Sequence, residues 1–344
     1  SSFVAGDGVI DGINESRVLE SDLLAVQRAL RNVGYDPGAY QGYTHNTENI
    51  KGIFKLDWNL NNNHTITATY NFLDAFKQKP AHPSAIGRRG PDATTLQFRN
   101  SGYQINNNIQ SGLVEWRARF GNMFANKMQV GYTKFTDSRD PFSTPFPVIN
   151  INQNGVRYIV AGHEPFSINN LLDQNVFQFT NNFEIFAGDH SITLGTSFER
   201  FDFDNSFNLN YYGGTFGPGF ATVQDFLSYA ESGKLKEDAD KAKATFEAGD
   251  WQLAETNVGQ FAVYAQDRYD VSDNLTLTAG LRVDLPLYFN TAEKIQENID
   301  RNCCYDPSIV YTDENGNKVQ FDHTKLPDQK PMFSPRVGFN WDVT

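Results

Sequence analysis

Residues 53–72 read IFKLDWNLNNNHTITATYNF, and apolar and polar side chains alternate along them with a period of two. Before the asparagine run, four apolar side chains share one face: Phe54, Leu56, Trp58 and Leu60. After it, four more do so: Ile66, Ala68, Tyr70 and Phe72. A period of two is that of a β-strand, and a short polar interruption between two such runs is typical of a hairpin turn. The stretch therefore predicts a β-hairpin.

The same unit recurs along the chain. Further alternating runs lie at 111–120 and 127–133, 177–185 and 191–199, 260–269 and 275–284, and a ninth lies at 333–343. Short turns are predicted within the hairpins at Asn62, Asp189 and Asp273, whereas long links at 76–107, 141–174, 205–256 and 287–331 join successive units. Outer-membrane barrels have this asymmetry, with short periplasmic turns and long extracellular loops.

A soluble β-sandwich also alternates apolar and polar residues, and three details favour the membrane barrel. The runs are long enough for a tilted strand to cross an apolar band of about 25 Å. Large aromatic residues precede the short turns or the chain end in strands that run in the same direction: Trp58, Phe120, Tyr269 and Trp341. They predict one aromatic girdle at one interface. The opposite face carries charge suited to a water-filled lumen: Arg117, Arg119, Glu199 and Arg282.

The predicted fold class is therefore all-β, a transmembrane antiparallel β-barrel. We expect Val114, Trp116, Leu277 and Leu281 to contact lipid, and Arg117, Thr278 and Arg282 to line the lumen. Three features disturb the pattern. Asp267 falls on the apolar face, near the interface where the cost of a charge is small. Phe135 and the pair Phe201 and Phe203 reverse the phase of their strands, which indicates either a bulge or the point where a strand leaves the bilayer.

Composition narrows the function classes. Among 344 residues there are 29 Lys and Arg against 41 Asp and Glu, and a net charge of −12 argues against a nucleic-acid binder. The mean hydropathy is −0.50, and we find no apolar run near the ~20 residues of a membrane helix. Membrane barrels also average to a hydrophilic score, so this value does not exclude them. The polar residues after Ser1 are not a signal peptide, which an outer-membrane protein needs. Either the signal peptide was removed or the chain begins within a longer protein.

The long links contain predicted structure of their own. Helices are expected at 18–32, ending at Gly34, at 223–230 and at 238–248. A small hairpin is expected where 148–151 and 156–160 flank the Asn-Gln-Asn-Gly turn at 152–155.

The sequence offers no catalytic, cofactor-binding or metal-binding residues. Its six histidines are scattered: His45, His64, His82, His163, His190 and His323. No two of them have metal-ligand spacing, and His64 and His190 are predicted to be surface residues at hairpin turns. The glycine-rich stretch 213–219 lacks the lysine of a P-loop, so a loop bend is expected there. Residues 313–317 resemble a calcium loop without its closing glutamate, which favours a hairpin turn over a calcium site.

Cys303 and Cys304, the only cysteines, are adjacent. They form neither a zinc site nor a CxxC redox motif. A strained vicinal disulfide and two free thiols are both open interpretations, and neither implies a function. Ligand contacts are expected in the long loops, although the sequence identifies no individual substrate-binding residue.

Three stretches carry a family resemblance: Val258–Asp267 (VGQFAVYAQD), Leu275–Asp284 (LTLTAGLRVD) and Phe333–Trp341 (FSPRVGFNW). The first two resemble a hairpin of TonB-dependent receptors, and the third resembles the strand that follows it. The loop that ends in Lys325-Leu326-Pro327 resembles that of the Oar-like branch, whose members carry a carboxypeptidase-regulatory-like domain before the plug. The resemblance extends more weakly from about Gly34 to the end of the sequence.

The resemblance implies import of a nutrient (a metal chelate, an oligosaccharide or a peptide) across the bacterial outer membrane, driven by the TonB complex. We find no TonB box and no plug, so residues 1–344 are expected to be one part of a barrel domain, with 1–49 an extracellular loop and 50–344 strands and loops. Nine strands are an odd number, whereas single-chain bacterial barrels have even numbers and plugged transporters about 22. The ninth strand is expected to have no partner within the chain.

Two other readings stay open. One is a secreted, soluble β-sandwich that binds glycans through exposed aromatic residues. The other is a porin or adhesin barrel that does not use TonB. Neither these readings nor the receptor interpretation implies an enzyme, a cofactor or a nucleic-acid partner.

Overall fold

A computed structural model describes residues 3–81, 90–207, 219–247, 253–300, 308–320 and 325–343. Cys303, Cys304, His82, His323 and all but the last residue of the glycine-rich stretch 213–219 lie outside the described residues. In the part of the chain that the structure describes, no helix has both the length and the apolar character needed to cross a membrane.

The described strands are, in chain order, β1 (Val4–Gly6), β2 (Glu15–Leu19), β3 (Thr47–Asn61), β4 (His64–Lys79), β5 (Leu96–Gln97), β6 (Tyr103–Phe120), β7 (Phe124–Pro141), β8 (Ile149–Gln153), β9 (Val156–Ala161), β10 (Leu171–Ala187), β11 (His190–Ser206), β12 (Gly219–Phe220), β13 (Ala254–Ser272), β14 (Leu275–Leu287), β15 (Tyr311–Thr312), β16 (Lys318–Val319) and β17 (Met332–Trp341). The helices are α1 (Glu20–Asn32), α2 (Val223–Glu231), α3 (Lys234–Glu247) and α4 (Thr291–Asp300), with a 3₁₀ turn at Arg99–Ser101.

Nine strands form one antiparallel sheet in the order β17-β14-β13-β11-β10-β7-β6-β4-β3. Each strand pairs with its predecessor and its successor among these nine, so the sheet is a meander. The prediction of nine long alternating strands is confirmed. The expectation that the ninth strand has no partner is wrong, because β17 pairs with β14 from Leu275↔Trp341 to Asp284↔Met332. In a meander, strands that are separated by a long loop pair in the same way as strands within a hairpin.

The two faces of the sheet differ as the sequence predicts. Cross-strand pairing places Val114 beside Val130 and Leu281 beside Ala265 on the apolar face, together with Trp116 and Leu277. No second sheet covers this face among the described residues, and Val114 and Leu281 are 49% and 47% exposed. The sandwich reading is therefore wrong, since a sandwich buries its apolar face. The three residues expected to line the lumen, Arg117, Thr278 and Arg282, lie on the opposite, polar face.

Aromatic residues border the apolar face at both ends. The predicted girdle is confirmed at the end with the short turns: Trp58, Phe120, Tyr269 and Trp341 all lie there on the apolar face. A second row lies towards the long loops: Tyr70, Tyr132, Phe177 and Phe198. From Phe124 to Tyr132 the strand is roughly 26 Å long at about 3.3 Å per residue, which at a tilt of about 40° covers roughly 20 Å along the barrel axis, close to the height of the apolar band of an outer-membrane barrel.

Beyond the second row the strands continue out of the apolar band, and the outer face becomes polar. Gln110 and Lys134 are paired on the outer face at the first level above Tyr132. The pairing of β7 with β10 and of β10 with β11 shows no register shift, so the phase reversal at Phe135, Phe201 and Phe203 is not a bulge. These aromatic residues occupy the inner face at the level where the strands leave the bilayer.

The N-terminal segment and three of the four long links fold together into a compact α/β unit, which we call the cap (residues 3–46, 90–102, 142–170 and 219–247). It contains α1, α2, α3 and a four-stranded sheet in the order β12-β8-β9-β5. Its core is mainly apolar and includes these residues: Val18, Leu23, Val26, Leu30, Leu96, Phe146, Ile149, Ile159, Phe226 and Leu235. The cap is not a set of independent loops, because segments far apart in sequence bury one shared core.

Most of the predicted loop elements are confirmed. Helix α1 lies within 18–32 and is followed by Gly34 at φ 86°, a left-handed conformation suited to the end of a helix. Helix α3 starts at Lys234, four residues before the predicted boundary, and α4 was not predicted. The hairpin of β8 and β9 turns through Asn154 and Gly155, both with positive φ.

Arg17 ties three cap segments together. Its Nη2 atom donates to the carbonyl oxygens of Gln153 and Val156, at 3.2 Å each, and its Nε atom donates to that of Thr94 at 3.3 Å. The guanidinium also lies over the Tyr158 ring, 5.4 Å from its centroid. A guanidinium is suited to this position because its donors are fixed in one plane.

Candidate functional site

The polar face of the nine-stranded sheet carries a dense hydrogen-bonded surface. Glu115 on β6 is 9% exposed and accepts from three neighbours. The Nε atom of Arg117 lies 2.6 Å from one carboxylate oxygen, while Lys127 Nζ and Gln129 Nε2 lie 3.3 and 2.7 Å from the other. Three donors satisfy the buried carboxylate, so these side chains are held in one arrangement.

A second arrangement on the same face is built around Tyr264 on β13. Its ring covers Gly195, where an added Cβ would come within 1.9 Å of a ring carbon. The Tyr264 hydroxyl donates to Asn182 Oδ1 at 2.5 Å, and the Arg282 guanidinium lies over the ring, 5.2 Å from its centroid. The aromatic ring is thereby fixed flat against the wall, because Gly195 provides the space for it.

Arg282 is itself positioned by Asp284 on its own strand and by Ser197 on β11. Its Nε atom lies 2.9 and 3.1 Å from the two oxygens of Asp284, and its Nη2 atom donates to Ser197 Oγ at 3.1 Å. Gln260 donates to the same carboxylate. The polar face therefore presents pre-organised amides, hydroxyls and paired charges, which suit the passage of a hydrated, polar ligand.

Towards the long loops the polar face changes to an apolar row. Its members are half-buried and form two groups that pair across strands, with Gln174 opposite Phe135 between them: Leu73, Ile109 and Phe135, then Val176, Phe201 and Val258. Phe201 and Phe203 stack with ring centroids 6.1 Å apart. The phase reversal in the sequence indicates two of these residues, Phe135 and Phe201. Their place on the inner face makes them candidate ligand contacts.

A buried ionisable pair lies where the cap meets the sheet. Glu164 is fully buried and accepts hydrogen bonds from the Phe166 amide at 2.9 Å and from the Ser167 hydroxyl. Its other oxygen has no hydrogen-bond partner among the described residues. Burial raises the pKa of Glu164, and the charge of Arg139 on the inner face opposes that shift. The carboxyl group therefore favours its neutral form more than an exposed glutamate does.

The neighbouring His163 is also buried, at 2% exposure, and its Nδ1 atom lies 3.0 Å from Ser143 Oγ. Burial lowers the pKa of His163 to about 4. His163 and Glu164 both lie in the segment that joins β9 to β10. The same segment is held to β7 by a hydrogen bond of 3.0 Å from the Arg139 amide to the Asn170 carbonyl. No sequence pattern indicates these two residues, because an isolated His-Glu dipeptide has no distinctive spacing.

We predict that the cap loses stability as the pH falls from 6.5 to 4. In this window the unfolded chain binds a proton at His163, whose ordinary pKa is 6.5, while the folded chain does not bind one until about pH 4. The loss amounts to about 3 kcal/mol when integrated over the window. Glu164 contributes in the opposite sense, since its raised folded pKa makes folding less favourable as the pH rises above 4.5. Hydrogen exchange of the cap at several pH values measures the sum.

Two variants separate these contributions. His163→Gln is expected to abolish the stability loss on acidification below pH 6.5, and Glu164→Gln is expected to abolish the opposing trend above pH 4.5. If His163→Gln retains the wild-type pH profile between 6.5 and 4, the assignment to His163 is wrong.

The other predicted residues lie as follows. His64 and His190 are the first residues of β4 and β11 and belong to the aromatic border rather than to exposed turns. His64 stacks on Trp116, and His190 stacks on Tyr269 at 4.3 Å while its Nδ1 atom lies 2.8 Å from Asp267 Oδ2. This partner explains how a carboxylate is tolerated on the apolar face.

The predicted turn at 313–317 is confirmed as a hairpin between β15 and β16. The Asp313 carboxylate accepts from the amides of Asn315 and Asn317 at 2.9 and 2.7 Å, so its oxygens serve the turn. Bonds from Asn317 are the largest cause of the lowered pKa of Asp313. Across the described ranges, no three His, Cys, Asp or Glu residues come close enough to hold a metal ion.

The sequence was compared with protein-family models and with curated proteins. The model of the family described as "Outer membrane beta barrel domain" matches residues 16–344. No curated protein matches the sequence.

Several solved structures are similar. The outer membrane transporter YddB from Escherichia coli has 11% identity and a TM-score of 0.45, with 87% of this chain and 30% of that chain covered. FpvA of P. aeruginosa, solved bound to heterologous pyoverdines, has 16% identity and a TM-score of 0.45, with 87% and 34% covered. The copper transporter OprC has 11% identity and a TM-score of 0.44, with 90% and 36% covered. The chain thus spans about a third of the length of these structures.

Proposed function

Because this chain belongs to the outer membrane β-barrel domain family, we propose that it forms part of the barrel of a TonB-dependent receptor, which binds a nutrient at the cell surface and imports it. The bacterial outer membrane is its location. The observation that carries the proposal is the single sheet with one apolar and one polar face, since a wall of this kind separates lipid from a water-filled path. The Oar-like branch is part of the proposal and rests on the three stretches quoted above.

In this proposal the chain binds and does not catalyse. The ligand, a metal chelate, an oligosaccharide or a peptide, first contacts the cap and the apolar row around Phe135 and Phe201. It then passes along the polar face, where the groups around Glu115 and Arg282 replace part of its hydration shell. The partners are the lipid bilayer, the small ligand and the TonB complex, which acts through a region outside this sequence. Residues 1–344 supply one part of the barrel domain, and the plug and further strands lie elsewhere in the protein.

Uptake by cells that carry the full-length protein tests the proposal. We expect accumulation of at least one labelled ligand from a panel of ferric chelates, oligosaccharides and peptides, and we expect it to stop when TonB is inactivated. Glu115→Ala on the polar face is expected to lower uptake, whereas Leu277→Val on the apolar face is expected to leave it unchanged at equal surface abundance. Uptake that continues without TonB would support a porin, and surface adhesion without any uptake would support an adhesin. Either result would overturn the receptor.

The same cells report on sidedness. Epitope tags in the loops 76–107, 205–256 and 287–331 are expected to be accessible from outside, and tags at Asn62, Asp189 and Asp273 are not. Access to the short turns on intact cells would reverse the proposed orientation.

A further inference from the structure

The apolar face of the sheet contains a groove close to its long-loop end. Tyr70, Gly112 and Tyr132 are paired directly across three adjacent strands, so two aromatic rings flank a residue without a side chain. Below this level the groove continues over small and aliphatic residues: Ala68, Val114 and Val130. The cavity has a volume of about 520 Å³, within the range of ligand sites.

No contact among the described residues accounts for the glycine at 112. The pairing of β6 with β4 and with β7 shows no register shift at this position, and Gly112 is not among the residues with positive φ. An added Cβ would meet no atom within 4 Å. A glycine inside a strand weakens it and usually marks a bulge, an unusual backbone conformation or the close approach of a ligand. The first two are excluded here, and the open space over Gly112 between two aromatic rings fits a close approach from outside the chain.

The rim of the groove is polar and includes a cation. The Tyr132 hydroxyl donates to Asn175 Oδ1 at 2.9 Å and the Tyr70 hydroxyl donates to Gln110, so both hydroxyls reach the level above while the ring faces stay beside the groove. Lys134 lies opposite Gln110 at that level, and its side chain is 51% exposed. Its nearest carboxylate oxygen, in Asp173, is 3.7 Å away, a distance that leaves ammonium donors available.

We propose that this groove binds a phosphate-bearing lipid of the leaflet on the long-loop side, with one acyl chain lying over Gly112 and the phosphate at Lys134. The groove faces hydrocarbon, so its occupant is an acyl chain rather than water. The groove ends, on the long-loop side, where the outer face of the sheet becomes polar, and this is the level of a lipid headgroup. The cation at that level complements a phosphate and has no equivalent role towards an uncharged headgroup.

Native mass spectrometry of the full-length protein in detergent tests the proposal, with phosphatidylglycerol and phosphate-free galactosyl diacylglycerol as probes. The wild type is expected to retain one phosphatidylglycerol molecule, and Gly112→Leu is expected to lose it because the new side chain fills the groove. Gly338→Leu is the matched control, since Gly338 is also a strand glycine with open space but lies on the polar face. Lys134→Gln is expected to weaken phosphatidylglycerol binding roughly fivefold and to leave the galactolipid unaffected.

Heat-dependent gel mobility confirms that each variant is folded, and Lys241→Gln, an exposed lysine in the cap, controls for a general loss of charge. If Gly112→Leu retains as much phosphatidylglycerol as the wild type, the proposal is wrong. Equal weakening of both lipids by Lys134→Gln would refute the phosphate contact. A change of oligomeric state in Gly112→Leu without loss of lipid would identify the groove as an interface between copies, and would also refute it.

Discussion

Phe226→Ala is expected to unfold the cap while the nine-stranded sheet remains intact. Phe226 on α2 is fully buried and packs edge-to-face on Phe220, with ring centroids 5.2 Å apart, at the centre of the core shared by the four cap segments. Removal of a buried phenylalanine side chain costs about 3–5 kcal/mol, an amount comparable to the whole stability of a small unit. Hydrogen exchange of the full-length protein should show cap amides losing protection and β6 and β7 amides keeping theirs.

Leu24→Ala is the control for this prediction. Leu24 lies on α1 in the same unit but is 41% exposed, so its truncation is expected to change cap protection only slightly. A loss of protection in β6 and β7 together with the cap in Phe226→Ala would show that the two units unfold cooperatively. That outcome would contradict the separation of cores described here, since the core cluster around Phe226 contains no residue of the nine long strands.

The wall of the barrel could be predicted because its signal is local. A strand in a bilayer has lipid on one face and polar surroundings on the other, so each run of about ten residues carries its own period of two. Trp58 and Trp341 could be assigned to one girdle because each turn reverses the direction of the chain. The first and the ninth strand therefore run in the same direction, and both tryptophans lie near the ends of their strands. The same logic misjudged the pairing of β17, since pairing across a long loop leaves no mark in the sequence.

The cap could not be predicted as one unit, because its defining contacts are not local. Arg17 bonds to the carbonyl of Gln153, 136 residues away, and no sequence period links two such segments. Strands β5 and β12 have two residues each, too few to show alternation. Helix α1 was recognisable from its apolar stripe, but what that stripe packs against was not.

The candidate site divides in the same way. The alternation of apolar and polar residues predicts that Arg282 and Arg117 lie on the lumen face. For Phe201 the reversed phase had two interpretations, a bulge or the point where the strand leaves the bilayer, and the second of these agrees with its place on the inner face. The pairing of Tyr264 with Gly195 depends on the register between β11 and β13, which a long loop leaves open. The burial of Glu164 depends on cap packing. Residues whose role requires contact between distant segments are those that the sequence did not identify.

The open edges of the sheet lead to the largest expected effect. No described strand pairs with the outer edge of β3 (Thr47–Asn61) or of β17 (Met332–Trp341). Each edge therefore presents backbone amides and carbonyls along a strand that lies in the apolar band, and each unpaired group costs several kcal/mol in hydrocarbon. We expect residues 1–344, expressed by themselves, to aggregate or to stay unfolded in detergent, whereas the full-length protein yields a monodisperse species with heat-dependent gel mobility.

Light scattering and gel mobility of the two preparations, refolded under the same conditions, decide the matter. A monodisperse, heat-modifiable species formed by residues 1–344 would mean that β3 and β17 find partners without further strands, either in each other or in a second copy. Cysteine cross-linking between Asn59 on β3 and Asn340 on β17 then distinguishes closure within one chain from pairing between chains, because only the second raises the mass. In both cases the edges are satisfied within these residues, and the proposal that they form one part of a larger barrel fails.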